Sequence, residues 1–119
     1  MLQLAALLIA LLGLAHSILG ERYILVRLFR RDLPKLFGGT DFTRNTLRFA
    51  WHLTTVMALG FSALLWQLAG SPSPQLLAST LGWCFIVSGL LPLFFTRGRH
   101  LAWVVLFAVG GLCLAWAAP

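Results

Sequence analysis

The chain has 119 residues, of which 60% are hydrophobic and 10% are charged, and its mean hydropathy is +0.90. Soluble domains carry about 25% charged residues, so this composition excludes an ordinary soluble domain and predicts an integral membrane protein. All three acidic and all nine basic residues lie between Glu21 and Arg48 or between Arg97 and Arg99. A nucleic acid partner is not needed to explain the net charge of +6, because basic residues beside membrane helices bind anionic lipid headgroups.

Four uncharged or nearly uncharged segments are long enough to cross a hydrocarbon core, which takes about 20 apolar residues per helix. They cover residues 1–20, 47–69, 75–95 and 101–118. We therefore predict an all-α fold, a single transmembrane domain of residues 1–119 built as an antiparallel four-helix bundle. A cleaved signal peptide is the alternative for the first segment, but MLQLAALLIA has no basic residue ahead of its apolar run.

The longest connection, residues 21–46, begins with ERYILVRLFRRDLPKLF, a stretch with helical periodicity. Its apolar arc consists of Leu25, Val26, Phe29, Leu33, Leu36 and Phe37. Its basic arc consists of Arg27, Arg30, Arg31 and Lys35, which are candidates for lipid headgroup contact. We expect an amphipathic interfacial helix here, either continuous with the first span or bent at the membrane surface, and interrupted at Pro34. The following turn offers Thr40 or Asp41 as the cap of the next helix.

Small residues predict which helix faces pack together, because helices in lipid associate where their backbones can approach closely. The first segment carries a stripe formed by Ala6, Ala10, Gly13, Ser17 and Gly20. The third segment carries Ala78, Gly82 and Gly89 on one face. The fourth segment carries Val104, Ala108, Gly111, Ala115 and Ala118. We expect these three faces to point into the bundle, and Pro92 to kink the third helix.

The basic residues also predict the orientation, since short loops rich in Lys and Arg stay in the cytoplasm. The first and third connections are basic, whereas the second, GSPSPQ, has no charged residue. Both termini are therefore expected on the outer side of the membrane, with the two basic loops in the cytoplasm.

The three histidines, His16, His52 and His100, fall at the cytoplasmic ends of their predicted spans. Together with Glu21 they supply the ligand types of a zinc, iron or copper site, or of a haem held by two imidazoles. No HExxH or comparable local spacing is present, so such a site exists only if the helices converge. The alternative is that each imidazole sits at the membrane interface, with its ring partly buried and one nitrogen reaching water.

A second interpretation makes Glu21 a structural residue. It follows Ser17 at i+4 and lies near the small-residue stripe of its helix, whereas His16 is rotated from that stripe by about 80°. Glu21 is then expected to form a partly buried ion pair with Arg48, Arg97 or Arg99 that closes the cytoplasmic ends of the helices.

Neither transport nor catalysis has a strong sequence signal. The predicted spans carry no ionisable residue near the membrane midplane, where ion and proton pathways usually have one. No GxSxG or other nucleophile motif is present, and neighbouring His16 and Ser17 point about 100° apart on a helix. We therefore name no catalytic residue and favour a protein without enzymatic activity.

Three short motifs carry a resemblance to a known group of proteins. HSILGE at residues 16–21, RFAWH at 48–52 and RGRH at 97–100 resemble the pattern of small, uncharacterised four-helix inner-membrane proteins of bacteria. This resemblance implies a bacterial inner membrane and a four-span fold. Together with the orientation expected from the basic residues, it places both termini in the periplasm. It implies no activity, substrate or cofactor.

The leading functional hypothesis is a non-enzymatic accessory or scaffold subunit of a larger membrane complex. Its expected partners are membrane lipid and other membrane subunits or further copies of the chain. One alternative is a redox protein that binds a metal ion or haem through its histidines. The other is an oligomeric channel or small-molecule carrier, whose pathway forms between subunits.

Overall fold

The structure is a computed structural model that describes all of residues 1–119. It contains four helices and no strand: α1 (Leu2–Leu28), α2 (Asp41–Leu68), α3 (Pro74–Phe95) and α4 (Ala102–Ala117). The predicted all-α, four-helix fold is confirmed. The first three helices are long and apolar enough to cross a membrane, and α4, with 16 residues, is a shorter apolar helix.

The first helix continues past the predicted boundary of its span. Gly20–Leu25 forms a π-helical segment and Val26–Leu28 a last α-helical turn, so the amphipathic stretch is continuous with α1. The stretch stops being helical at Leu28, earlier than the predicted interruption at Pro34, and no helix restarts before Phe37. Residues 29–31 form a turn, followed by a loop in which Leu36 and Gly39 pair with each other. The physical reason is Pro34, which disfavours helical geometry in the residue before it.

The next two helices begin differently. α2 starts directly after Thr40, but no side chain caps it, and the carboxylate of Asp41 instead accepts a hydrogen bond from Arg44 at 3.2 Å. α3 has a side-chain cap, because the hydroxyl oxygen of Ser73 accepts from the Leu76 amide at 3.1 Å. Pro74 occupies the first helical position, where its missing amide proton costs nothing.

The bundle is open. Each helix packs on the next one along the chain, and the principal dimensions of the molecule are 50 × 30 × 14 Å. Because a helix with its side chains is about 10 to 12 Å across, the four helices form a single layer with α1 and α4 at its two edges. Only 12 of the 119 residues are buried, so most of both faces of the layer is available to lipid or to other proteins.

All charged side chains lie at one end of this layer, where α1 and α3 end and α2 and α4 begin. We call it the basic end. The opposite end carries the SPSP turn between α2 and α3.

The small-residue stripe of α1 faces α2. Ala6, Gly13 and Gly20 are buried there, and a Cβ atom placed on Gly13 would lie 3.0 Å from the Cβ of Ala58. The Ser62 hydroxyl donates to the Ala6 carbonyl at 2.7 Å, adding a polar contact between the two helices. Close approach of the two backbones therefore explains why these α1 positions are small.

The contact between α3 and α4 corrects one packing prediction. A Cβ atom on Gly110 would lie 2.8 Å from the carbonyl oxygen of Gly82, whereas Gly111 has no neighbour within 4 Å. The prediction that Gly111 packs inside the bundle is therefore wrong. The reason is that α4 fills the gaps at Gly82 and Gly89 with bulky side chains, Leu114 and Phe107, which share a face with Gly110.

The predicted small-residue stripe of α4 consequently points outward. We call it the outer stripe of α4. All of its members are exposed: Val104, Ala108, Gly111, Ala115 and Ala118.

Candidate functional site

The local structure at the end of α1 positions Glu21. The π-helical segment that begins at Gly20 widens the helix, and such segments change the direction of the side chains that follow. Gly20 also leaves room for the indole of Trp51 on α2, since any Cβ atom at this position would overlap that ring. The indole nitrogen donates to the His16 carbonyl at 3.0 Å, so Trp51 holds α2 against this turn.

Glu21 pairs with Arg48 on α2 through both of its carboxylate oxygens. Nη2 of Arg48 lies 2.7 Å from Oε1, and Nε donates to Oε2 at 3.3 Å. The guanidinium also covers the ring of Phe29 at 4.9 Å from its centroid. Two-point pairing fixes the orientation of the carboxylate, which a single contact from a lysine would not do.

His52 lies one turn further along α2 and connects this ion pair to the interior of the layer. Its Nε2 lies 3.1 Å from Oε2 of Glu21, and its Nδ1 lies 2.8 Å from Oγ of Ser17. On the other side, the Phe95 ring of α3 stacks on the imidazole with 6.4 Å between centroids. The imidazole is therefore held at both nitrogens and on one face.

Two hydroxyl groups continue the line of contacts. Oγ of Ser17 lies 2.6 Å from Oγ1 of Thr55, which donates to the Gly13 carbonyl at 2.9 Å. We call these five side chains, Arg48, Glu21, His52, Ser17 and Thr55, the polar network. It follows α2 for about 10 Å, from a charged pair at the basic end to the buried Thr55.

The remaining histidines lie elsewhere. The His16 ring stacks on Trp51 at 4.5 Å, with its buried Nε2 unpartnered. The His100 ring packs against Phe42 and Phe49, and its Nδ1 accepts from the Ala102 amide at 3.3 Å.

The predicted convergence of the three histidines is therefore not found, because α1 and α4 are at opposite edges of the layer. No three His, Cys, Asp or Glu side chains are grouped so that they could hold a metal ion.

The other predicted basic residues are not part of the polar network. Arg97 and Arg99 form no ion pair with Glu21, and instead line an open cleft with Asp41 and Asn45 at the start of α2. The basic side chains of the first connection point into the surroundings of the molecule without ion-pair partners. This holds for the four residues predicted to contact headgroups, Arg27, Arg30, Arg31 and Lys35, whereas Arg44 pairs with Asp41.

The order Ser17, His52, Glu21 matches the residue types of a catalytic triad, but the geometry favours another role. In a serine hydrolase, Nε2 takes the proton of the nucleophile and Nδ1 faces the carboxylate, whereas these two nitrogens are exchanged here. The Ser17 oxygen is also enclosed between His52 and Thr55, at 2.8 and 2.6 Å. The arrangement can hold α1 against α2 and can hold protons.

The sequence predicted part of the polar network but not the contact that Trp51 makes beside it. The i+4 spacings of Ser17 to Glu21 and of Arg48 to His52 place each pair on one helix face, which anticipates that these side chains can meet. Trp51 was missed, although Gly20 at the end of a small-residue stripe is the kind of position that a large ring fills.

No protein-family model matches the chain, and it matches neither a curated protein nor a solved structure.

Proposed function

We propose that the protein is an accessory subunit of a membrane complex, and that it docks through the outer stripe of α4 on a transmembrane helix of another protein. The observation that carries this proposal is the outward position of Ala108, Gly111 and Ala115, which have the spacing of a helix-packing face. Two of these residues, Gly111 and Ala115, are four apart, which is the small-xxx-small pattern of close helix pairs.

The two edges of the layer differ in a way that supports docking on α4. The outward side of α1 is made of large aliphatic side chains, including Leu8, Leu11 and Ile18, each more than half exposed. Such residues suit lipid chains. The outer stripe of α4 consists mainly of small residues, although the large exposed side chains of Leu112 and Trp116 lie beside it. Small residues in lipid gain the most packing contacts when another helix packs closely on them.

The length of α4 supports the same proposal. Its 16 residues rise about 24 Å, which is less than the hydrocarbon thickness of about 30 Å. A short apolar helix at the edge of a layer is accommodated by thinning the bilayer or by association with a neighbouring helix. Association reduces the surface of α4 that the bilayer has to match.

We further propose that the protein lies in a bacterial inner membrane with its basic end in the cytoplasm and both termini in the periplasm. The charge distribution supports this orientation, because the SPSP end has no charged side chain. Unpaired cations such as Arg27, Arg31 and Lys35 then lie near anionic headgroups and set the depth of the layer. Reporter fusions after Pro119 and within the loop at Gly38 test the orientation, since each reporter is active on one side only.

Site-specific photo-crosslinking in native membranes tests the docking surface. A photoreactive residue in place of Leu112, which flanks the outer stripe and is 72% exposed, should give one discrete adduct with a different membrane protein. The matched position is Leu11 on α1, which is 63% exposed but faces the aliphatic edge and should give no protein adduct. Gly111→Leu should abolish the Leu112 adduct, because the larger side chain prevents close approach of the partner helix.

Two outcomes count against the proposal. Equal labelling from Leu11 and Leu112 would mean that α4 contacts proteins by random collision. An adduct of twice the mass of the chain would mean that α4 binds a second copy, which favours the oligomeric channel or carrier. The metal or haem alternative stays a prediction from the histidines, and no observation of the structure favours it.

A further inference from the structure

The polar network ends at the carbonyl oxygen of Gly13, which can accept hydrogen bonds but cannot donate one. This fixes the direction of every hydrogen bond in the network. The Gly13 carbonyl takes the single hydroxyl proton of Thr55. Because the hydroxyl oxygens of Ser17 and Thr55 are 2.6 Å apart and the proton of Thr55 is already used, Ser17 donates to Thr55. Ser17 then has no proton for His52, so it accepts a hydrogen bond from Nδ1 at 2.8 Å.

The other nitrogen of the ring meets a carboxylate. Nε2 of His52 lies 3.1 Å from Oε2 of Glu21, and Arg48 donates to both oxygens of the same carboxylate. A carboxylate held by a guanidinium is ionised and only accepts, so Nε2 must donate as well. All contacts of the network are satisfied together only when both nitrogens of His52 carry a proton.

We propose that the polar network is a proton-binding site, in which His52 holds one proton between Ser17 and Glu21. With the proton bound, the charges of Arg48, His52 and Glu21 sum to one positive charge, and without it they sum to zero. The site exchanges its proton at the basic end, where the side chains of Glu21 and His52 are 33% and 23% exposed. It is not a route across the membrane, because the network stops at the Gly13 carbonyl.

Loss of the proton changes the contact between α1 and α2. Without its Nδ1 proton, His52 accepts from Ser17, whose hydroxyl turns toward the ring, and Thr55 turns to donate to Ser17. One proton has then left for water, and the others have only changed direction. The Thr55 oxygen and the Gly13 carbonyl now face each other at 2.9 Å without a proton between them, so they repel. Proton binding is therefore linked to the packing of α1 on α2.

The groups around His52 are consistent with this charge. Glu21 faces it from α1, Arg48 lies one turn away on its own helix with its guanidinium on that carboxylate, and the apolar Phe95 ring faces it from α3. His16 is turned toward Trp51 and makes no contact with the imidazole of His52.

Nitrogen-15 NMR of the full chain in lipid bilayers, with labelled histidine, tests the proposal. With the polar network intact, both ring nitrogens of His52 should carry a directly bonded proton, and the His52→Gln spectrum identifies the signals by their loss. His100 is the internal control, since its Nδ1 accepts a backbone hydrogen bond and should carry no proton in the same spectrum. A single protonated nitrogen on His52 in the unmodified protein would overturn the proposal, whatever any variant does.

Ser17→Ala tests the role of the hydroxyls. It removes the only acceptor of Nδ1, so the Nδ1 proton signal of His52 should be lost under the conditions in which the unmodified protein shows both signals, while the Nε2 signal remains. Thr54→Val is the matched control, because the Thr54 hydroxyl bonds only the Trp51 carbonyl of its own helix, and both signals should persist. Retention of both His52 signals in folded Ser17→Ala would mean that the network does not hold the proton.

Discussion

Replacing Arg48 with leucine tests whether the ion pair with Glu21 holds the basic end together. The variant leaves His52 as the one side-chain partner of the Glu21 carboxylate and removes the guanidinium from the Phe29 ring. Leucine is the chosen replacement because it keeps part of the apolar stem of arginine, so the change acts mainly on charge and hydrogen bonding.

The exposure of the Arg48–Glu21 ion pair determines how much stability its loss is expected to cost. Removing one member of a fully buried pair costs about 3 to 5 kcal/mol, whereas an exposed pair contributes about 0.2 to 1 kcal/mol. The side chains of Arg48 and Glu21 are 28% and 33% exposed, which lies between these limits. We therefore expect Arg48→Leu to lower the free energy of unfolding by about 1.5 to 3 kcal/mol.

Unfolding by sodium dodecyl sulfate in mixed micelles, followed by circular dichroism, measures this free energy. The matched control is Arg44→Leu, which breaks the pair with Asp41, whose side chain is 84% exposed, and should cost less than about 1 kcal/mol. Adding Glu21→Gln to Arg48→Leu should recover about 1 kcal/mol relative to the sum of the two single changes, because it removes the uncompensated carboxylate. Equal costs for Arg48→Leu and Arg44→Leu would refute the reasoning.

Two further predictions concern helix contacts in the same assay. Gly110→Ala should destabilise the chain by about 1 to 3 kcal/mol, because its Cβ would lie 2.8 Å from the Gly82 carbonyl oxygen, whereas Gly111→Ala should be neutral or slightly stabilising. Equal effects at the two glycines would contradict the packing of α4. Ser62→Ala removes a 2.7 Å hydrogen bond to the Ala6 carbonyl and should cost about 0.6 kcal/mol. A loss above about 2 kcal/mol would show that more than this bond is affected.

Length and apolarity were sufficient to predict the helices, because a segment without charges that spans the hydrocarbon core has to satisfy its backbone internally. The side on which each residue lies was harder to predict. The stripe of α1 faces its neighbour as expected, since the helix has one partner and small residues on one side only. In α4 the same small-residue rule predicted that Gly111 packs against a neighbouring helix, whereas Gly110 makes that contact.

For the polar network, too, the sequence predicted which residues share a helix face but not which helices meet. Spacing on a helix placed Glu21 near Ser17 and Arg48 near His52, because residues four apart share a face. Spacing could not select Arg48 over Arg97 or Arg99 as the partner of Glu21, since all three arginines were expected at one membrane level. The arrangement of the helices in one open layer determines that Arg48 is the partner, because α1 lies beside α2 and away from the turn that carries Arg97.

The sequence by itself determined the membrane environment, the number of helices and the end of the molecule that carries the charge, because each of these follows from where charged residues interrupt apolar segments. Only the tertiary structure decided that the helices form one open layer, that the three histidines stay apart, and that the outer stripe of α4 has no partner within the chain. The physical reason is that lipid solvates every apolar face of a helix equally well. Which faces meet is then decided by the fit of particular side chains, such as Leu114 and Phe107 over the glycines of α3.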